Sequence, residues 1–282
     1  MQLKKVRYKM NIHLLIIDPQ KDFCDDPKGS NPGTGALFVP GAEQDMTNLS
    51  LMIDKYGNRI DDIHCTLDSH HPLHIAHPIF WKNAAGQHPN PFTIITYEDV
   101  VSGVWMATSP KFQAWALEYT KSIKDNGRYA LCIWPPHCLI GTNGAAVTDC
   151  VNTALRNWAE KYFAIVNYWT KGSNIKTEHY SVVKADVIDP NDDINTGINT
   201  KLIEALLTAD KILIAGEALS HCVANTVTDI ADAFGDDSYV KKLVLLEDCT
   251  SAIPGFEAQV NKFLTDMKAR GMEVAKSTNF FA

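Results

Sequence analysis

The chain has 282 residues, 45% hydrophobic and 21% charged, a balance that suits a globular protein with a large core. Its formal net charge of −7, with no basic block, argues against a nucleic-acid partner. No apolar run approaches the ~18 residues that span a membrane, and seven scattered cysteines fit reduced thiols in a cytoplasmic protein better than a disulfide frame. The basic start, MQLKKVRYKM, is not followed by a long apolar stretch, so no secretory signal is expected.

The first predicted element is a buried strand, His13-Leu14-Leu15-Ile16-Ile17, which runs into Asp18-Pro19-Gln20-Lys21-Asp22-Phe23. Asp18 is equally a turn former before proline and a general base at a strand's carboxyl end. Residues 25–42 form a loop rich in Pro, Gly and Asp. A helix is predicted over 41–56 and a second strand over 60–67, ending at Asp68. Half of the ten histidines fall between His64 and His77. Asp68-Ser69-His70 puts an oxygen and a nitrogen ligand two residues apart, on one side of an extended backbone. A divalent ion such as zinc, iron or manganese accepts that set; the alternative is a polar loop.

Residues 78–130 carry no recognisable chemical motif beyond a helix over 111–124, and suit a lid or an oligomer contact. The run Trp134-Pro135-Pro136-His137-Cys138 reads as a rigid pocket wall, its histidine either a further ligand or a turn residue. A helix over 148–161 and a strand over 162–168 follow, and that strand leads to Lys171-Gly172. A solvated turn lysine and a lysine holding a thiolate are both open here. The stretch 211–235, KILIAGEALSHCVANTVTDIADAFG, is strand, tight turn and helix, with Gly235 as the stop. Cys222 stands where the helix begins, where free N–H groups favour a thiolate; alone, it fits core filling as well. A strand over 242–246 and a helix over 256–270 complete the chain.

Strands alternating with helices predict an α/β fold with a mostly parallel sheet. Asp18, Asp68, Lys171 and the Cys222 turn then share the carboxyl edge of that sheet, which favours an enzyme. No G-x-G-x-x-G follows the first strand, so a dinucleotide site is not expected.

These motifs resemble the isochorismatase-like cysteine hydrolase superfamily, nicotinamidases most closely. The resemblance rests on Asp18-Pro19-Gln20-Lys21-Asp22-Phe23, on Lys171-Gly172, and on Gly216, Ala218, Cys222 and Val223 in a G-x-A-x-x-x-C-V pattern. It rests also on Asp68, His70 and His74 in a D-x-H-P-x-x-H-like run, on Trp134 to Cys138, and on Glu178-His179-Tyr180-Ser181. The chain departs from that pattern at Leu219-Ser220-His221, where T-D-x is usual, and at Pro72, displaced by His71. The resemblance implies a three-layer α/β/α fold of one domain over 1–282, with an insertion at about 78–130. It implies catalysis by Asp18, Lys171 and Cys222, an oxyanion hole from the N–H groups of Ala218 and Cys222, and a cis peptide at Glu217–Ala218. A divalent metal, zinc ahead of iron or manganese, would sit on Asp68, His70 and His137, with His74 a further candidate. Phe23 and Trp134 would pack against a substrate ring. The implied activity is hydrolysis of nicotinamide or a related small amide through a Cys thioester, as in NAD salvage, by a homo-oligomer. Another amide, a vinyl ether, or a non-catalytic metal-binding protein are the alternatives.

Overall fold

A computed structural model describes residues 9–29, 33–126 and 129–282. The basic N-terminal stretch 1–8 and small parts of the 25–42 loop and the 78–130 segment lie outside the described residues.

Six strands form one sheet: β1 (Ile12–Ile17), β2 (Asp62–Asp68), β3 (Val166–Lys171), β4 (Lys211–Gly216), β5 (Leu243–Leu246) and β6 (Glu273–Ala275). Their order is β6-β5-β4-β1-β2-β3 and every pairing is parallel. The apolar runs of the sequence are its centre: β1 and β5 are buried along their whole length. Parallel strands covered on both faces have no solvent side, so they lack polar alternation. The edge strand β3 does have a solvent side, and its exposure varies along its length.

The helices are α1 (Ala42–Tyr56), α2 (Gln113–Asp125), α3 (Asp149–Tyr162), α4 (Thr200–Leu207), α5 (Ala224–Phe234) and α6 (Glu257–Arg270), with several single-turn helices between them. α1 packs on α3, and α5 packs on α4 and α6, which gives the predicted three-layer architecture. Gly235 ends α5 in the left-handed conformation (φ 69), as its position suggested. The strand predicted over 162–168 starts later, at Val166. Tyr162 still belongs to α3, and Phe163 caps that helix with a left-handed φ of 51. Its β-favouring residues belong to a helix end. The short edge strand β6 carries no clear sequence signal. In the 78–130 segment, two-residue strands pair as Trp81–Lys82 with Met106–Ala107, and Ile94–Ile95 pairs outward with Leu131–Cys132. Trp115 ties α2 to the segment after β3 by donating to the Lys176 carbonyl at 2.6 Å.

The strand order reverses between β1 and β4. Such switch points leave a crevice at the carboxyl edge. Here the two backbones almost touch: Gly216 has φ 114, and a Cβ on it would lie 1.9 Å from the Ile17 carbonyl oxygen. Gly216→Ala is therefore expected to cost more than ~3 kcal/mol in urea unfolding, through backbone strain and displacement of β1. A variant as stable as the parent would contradict this account of the crossing.

Candidate active site

Three neighbouring strands, β1, β2 and β3, each deliver one group at their carboxyl ends. Asp18 follows β1 directly, with a left-handed φ of 46. Thr66, on the neighbouring strand, fixes it from both sides: its Oγ1 donates to Asp18 Oδ1 at 2.5 Å and accepts from the Asp18 N–H at 3.0 Å. Asp68 ends β2 and Lys171 ends β3, and the register sets these two residues opposite each other. Lys171 Nζ lies 2.9 Å from Asp18 Oδ2, 3.1 Å from Asp68 Oδ1, 2.8 Å from the His179 carbonyl and 3.6 Å from Cys222 Sγ. The ammonium thus has three protons and four acceptors in reach. All four residues are buried.

The rest of the first motif has structural work that its sequence does not announce. Gln20 pairs with the main chain of Asp68 in both directions at 2.7 Å and so locks the ends of β1 and β2 together. Asp22 accepts from the Cys138 N–H at 2.7 Å and holds the Pro-rich turn that carries His137.

Burial and the charges of Asp18 and Asp68 push the Cys222 thiol well up, against the opposing pull of Lys171. The preference for a thiolate expected from a helix start is therefore reversed. The local geometry differs as well: Leu219–Val223 is a π-helical turn, and α5 begins only at Ala224. Burial lowers Lys171, yet the two carboxylates outweigh it and hold the ammonium well above its usual range. Burial raises Asp18 despite Lys171. Asp68 lies well below its usual range, because His70 and Lys171 overcome its burial. The resting set is thus a neutral thiol beside a charged lysine.

The turn after β4 contains the expected cis peptide at Glu217–Ala218. The N–H groups of Leu219, His221 and Val223 are used within and around the turn, by Ser251 O at 2.8 Å and by Ala218 O at 3.0 and 3.2 Å. Ala218 and Cys222 flank the small cavity in front of it. Phe23, Trp134, Tyr180, His221, Ile253 and Glu178 form most of its remaining wall. Phe23 and Trp134 were expected there. Tyr180, which accepts from Trp134 Nε1 at 3.1 Å, was not, nor was His221. The His221 ring packs among Tyr129, Trp134, Tyr180 and Phe256, and burial lowers it to about 3, so it is neutral. Burial raises Glu178 to about 7. The Glu178–Ser181 stretch was the available signal, and it does not say which of its side chains face the cavity.

Asp68, His70 and His137 converge with ligand atoms within 4.8 Å of one another. His70 Nε2 is 2.9 Å and His137 Nε2 is 3.6 Å from Asp68 Oδ2. Their outer nitrogens face the carbonyls of Gly172 at 3.0 Å and Pro135 at 2.8 Å. As neutral rings whose Nδ1 donates to those carbonyls, both imidazoles turn an Nε2 lone pair toward the carboxylate; the lowering of Asp68 belongs to the protonated rings, which donate to it instead. Such a set of acceptors fits a cation, and carbonyl-oriented imidazoles are the usual support of metal ligands. A Cβ on Gly172 would come within 2.5 Å of Asp68 Oδ1, so glycine is needed beside the group.

His74 does not face its centre: Nε2 is turned to Thr177 O at 3.1 Å, and Nδ1 accepts from the Ala76 N–H at 3.2 Å. Both nitrogens are committed to main chain, which corrects the expectation of His74 as a ligand candidate. The neighbouring His77 has the free nitrogen, since Nδ1 faces Pro72 O at 3.2 Å and its buried Nε2 has no partner. A second group, His13, Asp62 and His64, lies toward the other edge of the sheet. There Trp169 Nε1 donates to His64 Nδ1 at 3.2 Å, so His64 Nε2 carries the proton and passes it toward His13 Nδ1 at 3.2 Å. That chain of hydrogen bonds leaves His64 no lone pair for a metal.

No family model matches this chain, and no curated protein sequence does. Solved structures match it over nearly its whole length. The nicotinamidase/pyrazinamidase of Acinetobacter baumanii is 19% identical, covering 97% of this chain and 99% of its own, with a TM-score of 0.60. Yeast nicotinamidase is 22% identical, with 94% and 99% covered and a TM-score of 0.62. The pyrazinamidase of Pyrococcus horikoshii, solved in complex with zinc, is 20% identical, with 94% and 99% covered and a TM-score of 0.53. The fold of these nicotinamidase and pyrazinamidase structures is the fold of this chain.

Lys171→Met should cost ~3–5 kcal/mol at pH 7, measured by urea unfolding with chelator present, because it strands two buried carboxylates. The deficit should shrink as pH falls toward the carboxylates' ordinary range, where both states take up the protons. Near-parental stability at pH 7 would contradict the ionic account of this cluster.

Proposed function

We propose that the chain is a metal-containing cysteine amidohydrolase of nicotinamidase type that converts a small amide to its acid and ammonia. One observation carries this reading. A single buried lysine touches the carboxylate and thiol of a nucleophile set, and also the carboxylate of a converging Asp/His/His group. The cavity wall contains Cys222, Asp68 and His137 together, so one small substrate reaches both.

Asp18 takes the proton of Cys222 as sulfur attacks the carbonyl carbon. Lys171 stays charged and balances the negative charge on the carboxylates and sulfur. The N–H groups of Ala218 and Cys222 hold the carbonyl oxygen as it gains charge, an interaction whose loss elsewhere costs ~3–4 kcal/mol. Asp18 returns its proton to the leaving nitrogen and ammonia departs. A water, deprotonated by Asp18, then attacks the thioester, which releases the acid and restores the thiol. The proton steps belong to the coupled set and to no single residue.

Asp68, His70 and His137 would hold the metal. A divalent ion there would supply positive charge able to bind and orient a ring nitrogen of the substrate. The zinc complex of the Pyrococcus relative supports zinc. Phe23 and Trp134 would lie against the ring. The described cavity wall has two carboxyl groups and no arginine, which favours a neutral amide over an anionic vinyl ether.

Ammonia release from nicotinamide and a panel of small amides tests the reading. Cys222→Ala should lose at least ~10³-fold in kcat while keeping its circular dichroism and metal content. Appreciable turnover by that folded variant would refute the covalent route. Chelation should lower kcat/KM at least ~10-fold, and added zinc should restore it. A fully active metal-free protein would remove the metal from the proposal.

A further inference from the structure

Behind the turn that carries Ala218 lies a second acidic group that the reaction does not use. Glu217 is fully buried and Asp45, in the first turn of α1, nearly so. Ser251 bridges their carboxyl groups, and the second oxygen of Glu217, Oε1, is buried without a donor. Two ionised carboxylates only accept, so a proton held by the pair is what would satisfy this orphaned oxygen and remove the repulsion of two buried charges. The other titratable groups acting on the pair are Asp248, Cys24 and Cys249, from the Lys21–Cys24 turn and the segment after β5. None of these supplies positive charge, and no ion pair to either carboxylate occurs among the described residues. Burial raises both carboxyls, in keeping with a retained proton.

The pair is tied to the turn through Ser251. The Ser251 N–H donates to Glu217 Oε2 at 3.1 Å, and its hydroxyl donates to Asp45 Oδ2 in a short bond. Its carbonyl accepts from the Leu219 N–H at 2.8 Å. Two residues on, the Ile253 N–H donates to Ser220 Oγ at 3.2 Å, and the Ile253 side chain forms part of the cavity wall. Gly41 lets this strap approach α1: its φ is 103, and a Cβ there would lie 2.5 Å from Ser251 Oγ.

We propose that Glu217 and Asp45 share one proton and that this neutralised pair positions the turn carrying Ala218 and Cys222. Neither residue touches the cavity; both act through Ser251 and through the backbone of Glu217 itself. The activity arm of the test rests on the amidohydrolase reading, and the stability arm does not.

The folded pair holds its proton above the ordinary carboxylate range. Its contribution to stability is therefore complete at low pH and declines as pH rises through the folded value. Thermal unfolding from pH 5 to pH 9 should show this decline in the parent protein. Glu217→Gln keeps a donor for Asp45 and an acceptor for Ser251 but cannot ionise, so its melting temperature should fall less, as should that of Asp45→Asn. Parallel slopes in parent and variants would overturn the shared proton. In the amide assay, Glu217→Ala should lose at least ~10-fold in kcat with KM within about twofold, through misplacement of the turn, and Glu217→Gln should restore most of it. An Ala variant with parental kcat, or a Gln variant as slow as Ala, would overturn the positioning role. If the parent hydrolyses no amide, the rate of iodoacetamide alkylation at Cys222, located by peptide mass spectrometry, replaces kcat in the same comparison. The conservative variants suffice for the stability arm if Glu217→Ala does not fold.

Discussion

The Lys171 ammonium lies fully inside the protein, between the carboxylates of Asp18 and Asp68 and within reach of the Cys222 sulfur. An isolated buried charge costs several kcal/mol, so the lysine persists only because both carboxylates and the His179 carbonyl surround it. The two carboxylates come from different strand ends, and each is held in turn. Thr66 fixes Asp18, Gln20 fixes the main chain of Asp68, and the β2–β3 register fixes Lys171 against Asp68. The same lysine makes the thiol chemistry and the histidine group one electrostatic unit. A change in the charge of either is felt by the other across a low-dielectric contact.

Close backbone approach is the second condition. Gly216 and Gly172 stand where a Cβ would strike Ile17 or Asp68. Both are in the left-handed region, which glycine adopts without steric cost. The turn between Gly216 and Cys222 is shaped from behind by Ser251, Glu217 and Asp45, and from the front by the aromatic wall around His221. Trp134, Tyr180 and Phe256 enclose that imidazole and keep it neutral. It therefore meets the cavity as an uncharged polar ring, which suits an uncharged substrate.

Much of this was legible in the sequence because it is local. An apolar run followed by Asp18, or by the turn to Cys222, names a strand and its carboxyl end. Parallel topology then brings those ends together without further information. Other features were not local. The π-helical turn before α5 shifts Cys222 off the helix start, and no residue pattern announces it. His74 and His77 look alike in sequence; only the carbonyls and N–H groups around them separate a committed imidazole from one with a free nitrogen. Two His/Asp groups exist, and the indole N–H of Trp169, about a hundred residues from His64, disqualifies one of them. The Ser251 bridge between Asp45 and Glu217 joins residues too distant for any spacing rule. Phe163, apolar and β-favouring, caps a helix because of what precedes it.

The central claim is that the substrate becomes covalently attached to Cys222 during turnover. Acid quenching within the first turnovers, followed by proteolysis and mass spectrometry, tests it directly. The account predicts an acyl group, matching the acid half of the amide, on the peptide containing Cys222 and on no other cysteine peptide. Ammonia release with no acyl group on that peptide at any quench time, or an acyl group elsewhere, would contradict it.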